Sequence, residues 1–180
     1  MKKYFKLLRV EQWVKNLFVF SCFTGLSYSD IKGLKNSNIQ EFFDGNQWII
    51  IRRRKTATSS NVMLLDIPKM IMEKYAGLSK DSRVFPGPSN SFCNDRLKAI
   101  SKQIDCLKEK KVTFHLARHT FATLFLSEGV PLESLSKMLG HKNIATTQIY
   151  AKILNEKVGK DMQKVSHKFK GMERSFVSKL

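Results

Sequence analysis

The stretch HLARHTFATLFLSEGVPLESLSKMLGHKNIATTQIY, residues 115–150, decides how this chain is read. From Thr113 its apolar spacing predicts a helix that stops at Gly129, and PLESLSKMLG predicts a second, with Pro131 at its start and Gly140 at its end. A last short helix carries TTQIY. His115 and Arg118 lie three apart, so they share one helix face and can reach a common phosphate. His141 follows a helix stop, and the brief connection to Tyr150 allows the phenol to fold back toward it. The pattern is a phenol among basic groups.

Upstream, Val10, Trp13, Val14, Leu17, Phe18 and Phe20 recur at helical spacing, which predicts a helix from Val10 that ends near Gly25. A shorter helix is expected over Ser29 to Leu34. In FFDGNQWIIIRRRKTATSSNVMLLDIP, Asp44-Gly45 marks a hairpin turn and Trp48 to Arg54 reads as a strand. After the turn TATSSN, Val62 to Ile67 reads as a third strand closed by Pro68. Lys69 to Tyr75 and Asn94 to Leu107 read as helices, with a loop at Pro86-Gly87-Pro88. Past Tyr150, Val158, Met162, Val165 and Phe169 are spaced for one apolar face of a lysine-rich helix. The fold class is therefore α+β: mostly helical, with a small antiparallel three-stranded sheet.

Composition narrows the partner. The 180 residues suit a single domain, and 32 basic against 15 acidic side chains leave a formal charge of +17, so a polyanion is expected. Nucleic acid comes before an anionic membrane surface. The longest apolar run, Leu17 to Leu26, is interrupted by Ser21, Thr24 and Gly25 and falls short of the ~20 residues of a membrane span. Lys6, Arg9 and Glu11 break what would be the apolar core of a signal peptide. Cys22, Cys93 and Cys106 are odd in number and lack metal-ligand spacing, which suits reduced thiols in the cytoplasm.

Each candidate also has an ordinary structural reading. A His and an Arg three apart commonly form a solvated or capping pair, a tyrosine on an amphipathic helix commonly belongs to the core or its rim, and Lys55 ends a basic run of the kind found on solvated faces. His115 and His119 have the spacing of a zinc pair, but Leu116 stands where H-E-x-x-H has its carboxylate. No metal site is expected, and His119 is expected to point elsewhere, into packing or a hydrogen bond.

Taken together, TGLSYSDIKGL at residues 24–34, the strand ending in RRRKT, and the block from His115 to Tyr150 resemble, in this order, the tyrosine recombinases or phage integrases. The resemblance spans about residues 10–153, the family's catalytic domain, and leaves 154–180 as a basic tail. The wording FVFSCFTGLSYSDIKGL is similar to integrases of mobile elements in Bacteroides-type bacteria. What the resemblance implies is strand transfer on double-stranded DNA with no cofactor and no metal. Tyr150 would be the nucleophile that forms a 3′-phosphotyrosyl bond. Lys55 would be the general acid for the departing 5′-oxygen. Arg118 would hold two phosphoryl oxygens, His115 would accept the tyrosine proton or donate a hydrogen bond, and His141 would donate to a non-bridging oxygen.

One position departs from the family. Its first arginine directly follows the Thr-Gly-Leu corner, where this chain has Ser27. Ser27 fits an N-cap with Asp30 three residues on, the domain could be a DNA-binding module without catalysis, or another arginine could reach the phosphate. Strand alternation puts Arg53 on the face of Lys55 and makes it the candidate substitute cation. Asp30 matches the family's acidic residue and is expected to orient a neighbouring basic group. The family's amino-terminal core-binding domain does not fit in the residues before Val10, so an isolated catalytic domain or a fragment of a longer integrase is expected. A tetramer on DNA, joined through the segment after the tyrosine, is the family's assembly, and topoisomerase-like cleavage and religation is the alternative outcome within the same chemistry.

Overall fold

The computed structural model describes residues 2–79 and 81–150, and beyond them positions 159, 162, 163, 165–167 and 170; for residues 2–9 it describes the backbone alone. Helix α1 (Lys2–Thr24) begins about two turns further back than the apolar spacing predicts, and it buries Val14, Leu17, Phe20, Ser21 and Thr24 along one stripe. It ends at Gly25, whose φ of +66° favours glycine. A side chain there would also collide with α5, because a Cβ on Gly25 would lie 2.6 Å from the Phe121 ring. The short helix α2 (Tyr28–Gly33) follows at once, capped by Ser27.

A meander of three antiparallel strands, β1 (Ile39–Glu41), β2 (Gln47–Arg52) and β3 (Ser59–Met63), comes next. The Asp44-Gly45 hairpin is formed as expected, with Gly45 at φ +70° and its N–H donating to the Phe42 carbonyl. Ile49 pairs with Ile39 on one side and Val62 on the other, and it is fully buried.

Two boundaries differ from the expectation. The third strand is Ser59–Met63, not Val62 to Ile67, and helix α3 (Asp66–Lys74) already includes Pro68. Proline is accommodated in a first turn, where its missing N–H would have had no helical partner, and Asp66 suits the positive end of the helix. Helix α4 (Asn90–Ser101) likewise begins earlier than Asn94, because the Ser89 hydroxyl accepts the Phe92 N–H at 3.3 Å. It also stops before Leu107, and Asp105–Leu107 forms a separate 3-10 turn.

Helices α5 (Phe114–Ser127) and α6 (Leu132–Leu139) match the expected pair, with Thr113 capping α5, Gly129 at φ +100° and Gly140 at φ +60°. The four-residue α7 (Ala145–Gln148) ends in a 3-10 turn that holds Tyr150. Helix α1 packs against α3, α4 and α5, while α6 packs against α5 and β3. The core falls into two clusters accordingly. One lies around α1, α2 and β2; the other gathers Val62, Phe121, Leu126, Leu135, Leu139 and Tyr150. Cys22 and Cys93 are buried free thiols, and Cys106 is an exposed one. Among the described residues no helix is long and apolar enough to cross a membrane. Of the tail positions assigned to one apolar face, Val158 and Phe169 lie outside the described residues, while Met162 and Val165 are exposed.

Candidate active site

The site forms where the end of α1, the end of α6 and the β2–β3 turn approach the buried side of α5. Arg118 is only 8 % exposed. Its Nη1 donates to the Gly25 carbonyl at 2.6 Å and its Nη2 to the Leu139 carbonyl at 2.5 Å. Both acceptors are carbonyls at helix ends, which lack helical partners and carry partial negative charge. The two glycines that terminate α1 and α6 thus place the acceptors that fix the arginine.

Arg53 reaches the same carbonyl. It is 7 % exposed, and its Nη1 donates to Leu139 O at 2.7 Å. Its Nε lies 2.8 Å from Asp30 Oδ2, as an ion pair in which the N–H is not aimed at the oxygen. Burial lowers the Arg53 pKa from its usual value, and Asp30 opposes that shift. Arg53 does not share a face with Lys55 as alternation predicts. The strand stops at Arg52, and Arg53 continues the inward row of Ile49 and Ile51. The chain then turns back through Ala57 at φ +54°, with Ala57 N–H donating to Arg53 O, and leaves Lys55 exposed in the turn. Arg53 thus keeps the alternation of β2 one residue past its end, and it is Lys55 that leaves the row. Gly140 is needed for this approach, since a Cβ there would lie 2.7 Å from Arg53 Cγ.

Ser27 sits at the N-cap of α2 with φ −72° and ψ 160°. Its hydroxyl accepts the Asp30 N–H at 3.4 Å and lies 2.6 Å from Asp30 Oδ2, to which it donates. The Asp30 carboxylate, 3 % exposed, also accepts the Arg54 backbone N–H at 3.0 Å. Ser27, Asp30 and Arg53 therefore form one connected group, in which the serine bonds the carboxylate and the carboxylate pairs with the arginine.

On the outer side of α5, His115 is exposed and His119 half-buried, with their Nε2 atoms 2.7 Å apart. His119 enters both packing and a hydrogen bond, and its hydrogen-bond partner is His115 itself. Its ring also contacts the Tyr150 ring, with centroids 5.3 Å apart. Tyr150 is 7 % exposed, and burial raises its pKa. His141 Nδ1 lies 2.8 Å from the Thr147 hydroxyl of α7, one turn before Tyr150. Burial lowers the His141 pKa, and the charge of Arg53 lowers it further. Sequence reasoning missed the carbonyls of Gly25 and Leu139, the Thr147 partner and the His119 contacts. Only the four-residue spacing of the two histidines signalled any of them.

Chemically, the arrangement offers two guanidinium groups with a common anchor, a neutral imidazole beside them, and a phenol seated in an apolar setting. Next to it, Lys32, Lys35, Arg52, Arg54 and Arg83 surround a cavity of about 470 Å³ that shares Asp30 as a wall. Among the described residues no group of three or more His, Cys, Asp or Glu side chains is placed to hold a metal ion.

Comparison with known proteins agrees with this architecture. Residues 7–157 match the phage integrase family, and the chain belongs to that family. It is 33 % identical over 158 residues to the tyrosine recombinase XerD of Listeria monocytogenes, covering 80 % of this chain and 51 % of that protein. It is 33 % identical over 110 residues to the tyrosine recombinase XerA of Saccharolobus solfataricus, covering 61 % of this chain and 36 % of that protein. The chain thus spans about half or less of these relatives. Among solved structures, XerA recombinase superposes with a TM-score of 0.64 at 22 % identity, covering 83 % of this chain and 63 % of that one. The Tn1549 transposon integrase in complex with transposon right end DNA gives 0.59 at 16 %, covering 79 % and 59 %. These likenesses establish the fold: a mostly helical tyrosine-recombinase catalytic domain with a small three-stranded antiparallel sheet.

Proposed function

We propose that this chain is the catalytic domain of a site-specific DNA recombinase that cleaves and rejoins double-stranded DNA through a phosphotyrosyl intermediate. The observation that carries this reading is the convergence of Arg118 and Arg53 on the Leu139 carbonyl, with His141 close enough for the Arg53 charge to lower its pKa and Tyr150 in the same apolar cluster as Leu139. A phosphodiester docked on the two guanidinium groups has its non-bridging oxygens neutralised where charge builds up in the transition state.

Tyr150 Oη attacks phosphorus, its proton passes to His115, and the P–O5′ bond breaks as Lys55 supplies a proton to the leaving oxygen. Because burial holds the phenol protonated, an acceptor for that proton is required. The exposed position of Lys55 in the β2–β3 turn suits a group that meets substrate only when DNA is bound. A second 5′-hydroxyl then attacks the phosphotyrosine and restores the backbone. In this scheme Arg53 replaces the arginine that Ser27 displaces, and Asp30 orients it. The structural group of Ser27, Asp30 and Arg53 favours this reading over a DNA-binding module without catalysis.

The net charge of +17 and the basic cavity beside the site support contact with the phosphate backbone. We infer a mobile-element role, integration or excision, from the wording of the Thr-Gly-Leu corner, and a bacterial cytoplasmic setting from the DNA substrate and free thiols. Assembly as a tetramer on DNA rests on the exposed apolar positions Met162 and Val165. Sedimentation with and without the residues after Lys152 checks it, and unchanged association counts against docking between copies. The function itself is tested by incubating the protein with nicked DNA and separating the products under denaturing conditions. A covalent adduct that disappears in Tyr150→Phe is expected; equal adduct in the variant overturns the assignment.

A further inference from the structure

His119 has no part in the reaction described above, yet it touches two of its participants. It lies one turn along α5 from His115, with Nε2 to Nε2 at 2.7 Å and ring planes at 89°. On its other side the Tyr150 ring meets it edge to face, with planes at 64°. Among the described residues, these two are the titratable groups found in contact with it. Arg118, its neighbour in sequence, is engaged elsewhere, by the carbonyls of Gly25 and Leu139.

Two imidazoles joined through Nε2 share one bridging proton. If both nitrogens carried one, the two N–H groups would oppose each other at hydrogen-bond distance. The half-buried ring is the poorer place for charge: burial lowers the His119 pKa, and His115 adds to the effect. A neutral His119 accepts at Nε2 when its own proton is on Nδ1, and that arrangement leaves the bridging proton on His115.

We propose that His119 is a positioning residue for strand cleavage, accepting the Nε2–H of His115 and seating the ring of Tyr150. The proposal rests on Tyr150 being the nucleophile and His115 its proton acceptor. With its proton on Nε2, His115 keeps its lone pair on Nδ1, the nitrogen that takes the phenol proton. In that step the Tyr150 O–H bond breaks, an N–H bond forms at His115 Nδ1, and the bridging proton stays between the histidines. The imidazolium so formed donates more strongly to His119 than the neutral ring did. The orienting role resembles that of the third group in a nucleophile–base–orienter triad, with a neutral ring in place of a carboxylate.

The test has an arm that requires no activity. Nitrogen-15 NMR of the imidazole side chains in the free protein reads the tautomer of His115. The expected state is Nε2–H in the parent, with a mixture of tautomers in His119→Phe, which keeps an aromatic ring against Tyr150 but cannot accept. A parent His115 protonated on Nδ1 alone overturns the proposal, whatever the protein does to DNA. The second arm is single-turnover cleavage of nicked DNA at saturating concentration, followed against pH. His119→Phe is expected to lose roughly 10- to 100-fold in rate, part of the ~100- to 10,000-fold that a positioned general base supplies, with its acid limb moved to lower pH and DNA affinity unchanged. His119→Gln, whose amide oxygen can accept, is expected to recover most of the rate. Parental rate and pH profile in His119→Phe, or no recovery in His119→Gln, overturns the proposal. An absence of cleavage by the parent fails the proposed function instead, and leaves the tautomer to decide the role of His119.

Discussion

Arg53 and Arg118 donate to one acceptor, the carbonyl of Leu139, at 2.7 and 2.5 Å. Two buried cations on a single oxygen repel each other, and burial deprives both of water. The repulsion is opposed by the negative end of α6, whose last residue is Leu139, and by Asp30 beside Arg53. A bound phosphodiester would oppose it further.

This relationship makes Arg53 the position where catalysis and charge can be tested together. Arg53→Ala is expected to lower the cleavage rate at saturating DNA by about 100- to 1,000-fold, the usual cost of losing a transition-state donor. Arg53→Lys is expected to restore little, because an ammonium lacks the planar fork that serves Leu139 O and an anion together. Single-turnover cleavage of nicked DNA measures both. A parental rate in Arg53→Ala refutes the role.

Asp30 should matter for stability as much as for chemistry. Its removal leaves Arg53 buried beside Arg118 without a counter-charge, so Asp30→Ala is expected to cost about 3–5 kcal/mol. Ser27→Ala keeps the ion pair but removes the α2 cap and one bond to the carboxylate, for about 0.5–2 kcal/mol. Denaturant unfolding of the two variants gives the ranking, and equal losses contradict it.

Acidification is expected to destabilise the fold. The His141 and His119 pKa values are lowered in the folded chain, the first by burial and Arg53, the second by burial and His115. The unfolded chain therefore binds more protons below the ordinary histidine value of about 6.5. Their contribution is intact above that pH and is lost as pH falls through the lowered values. Melting temperatures at pH 7.5 and 5.5 should separate more in the parent than in a His119→Gln, His141→Gln double variant. Equal separation excludes these histidines as the cause.

Some of this was legible in the sequence, and the reason differs from place to place. Gly129, Pro131 and Gly140 bracket α5 and α6 because terminating a helix is a local act of backbone geometry. Ser27 reads as a cap for the same reason, since its partner is three residues away. Pro68 misled because one residue both ends a strand and enters a helix in its first turn, and only the pairing of β3 with β2 shows which applies. Alternation points to Arg53, although the strand ends at Arg52, one residue before it and two before the expected end. What brings it beside Arg118 is the Leu139 carbonyl 86 residues away, and no spacing rule reaches that far. The His115–His119 spacing is visible in the sequence and points to a hydrogen bond for His119, but not to His115 as its partner, although two imidazoles one turn apart can bind each other.

The central claim is that Tyr150 takes the broken DNA strand. Its most direct measurement is mass spectrometry of the peptide that carries nucleotide after reaction with nicked DNA and proteolysis. The account predicts a single modified residue, Tyr150, joined through phosphate to a strand's 3′ end, with a free 5′-hydroxyl on the released fragment. Modification of another residue, or a 5′ linkage, contradicts it.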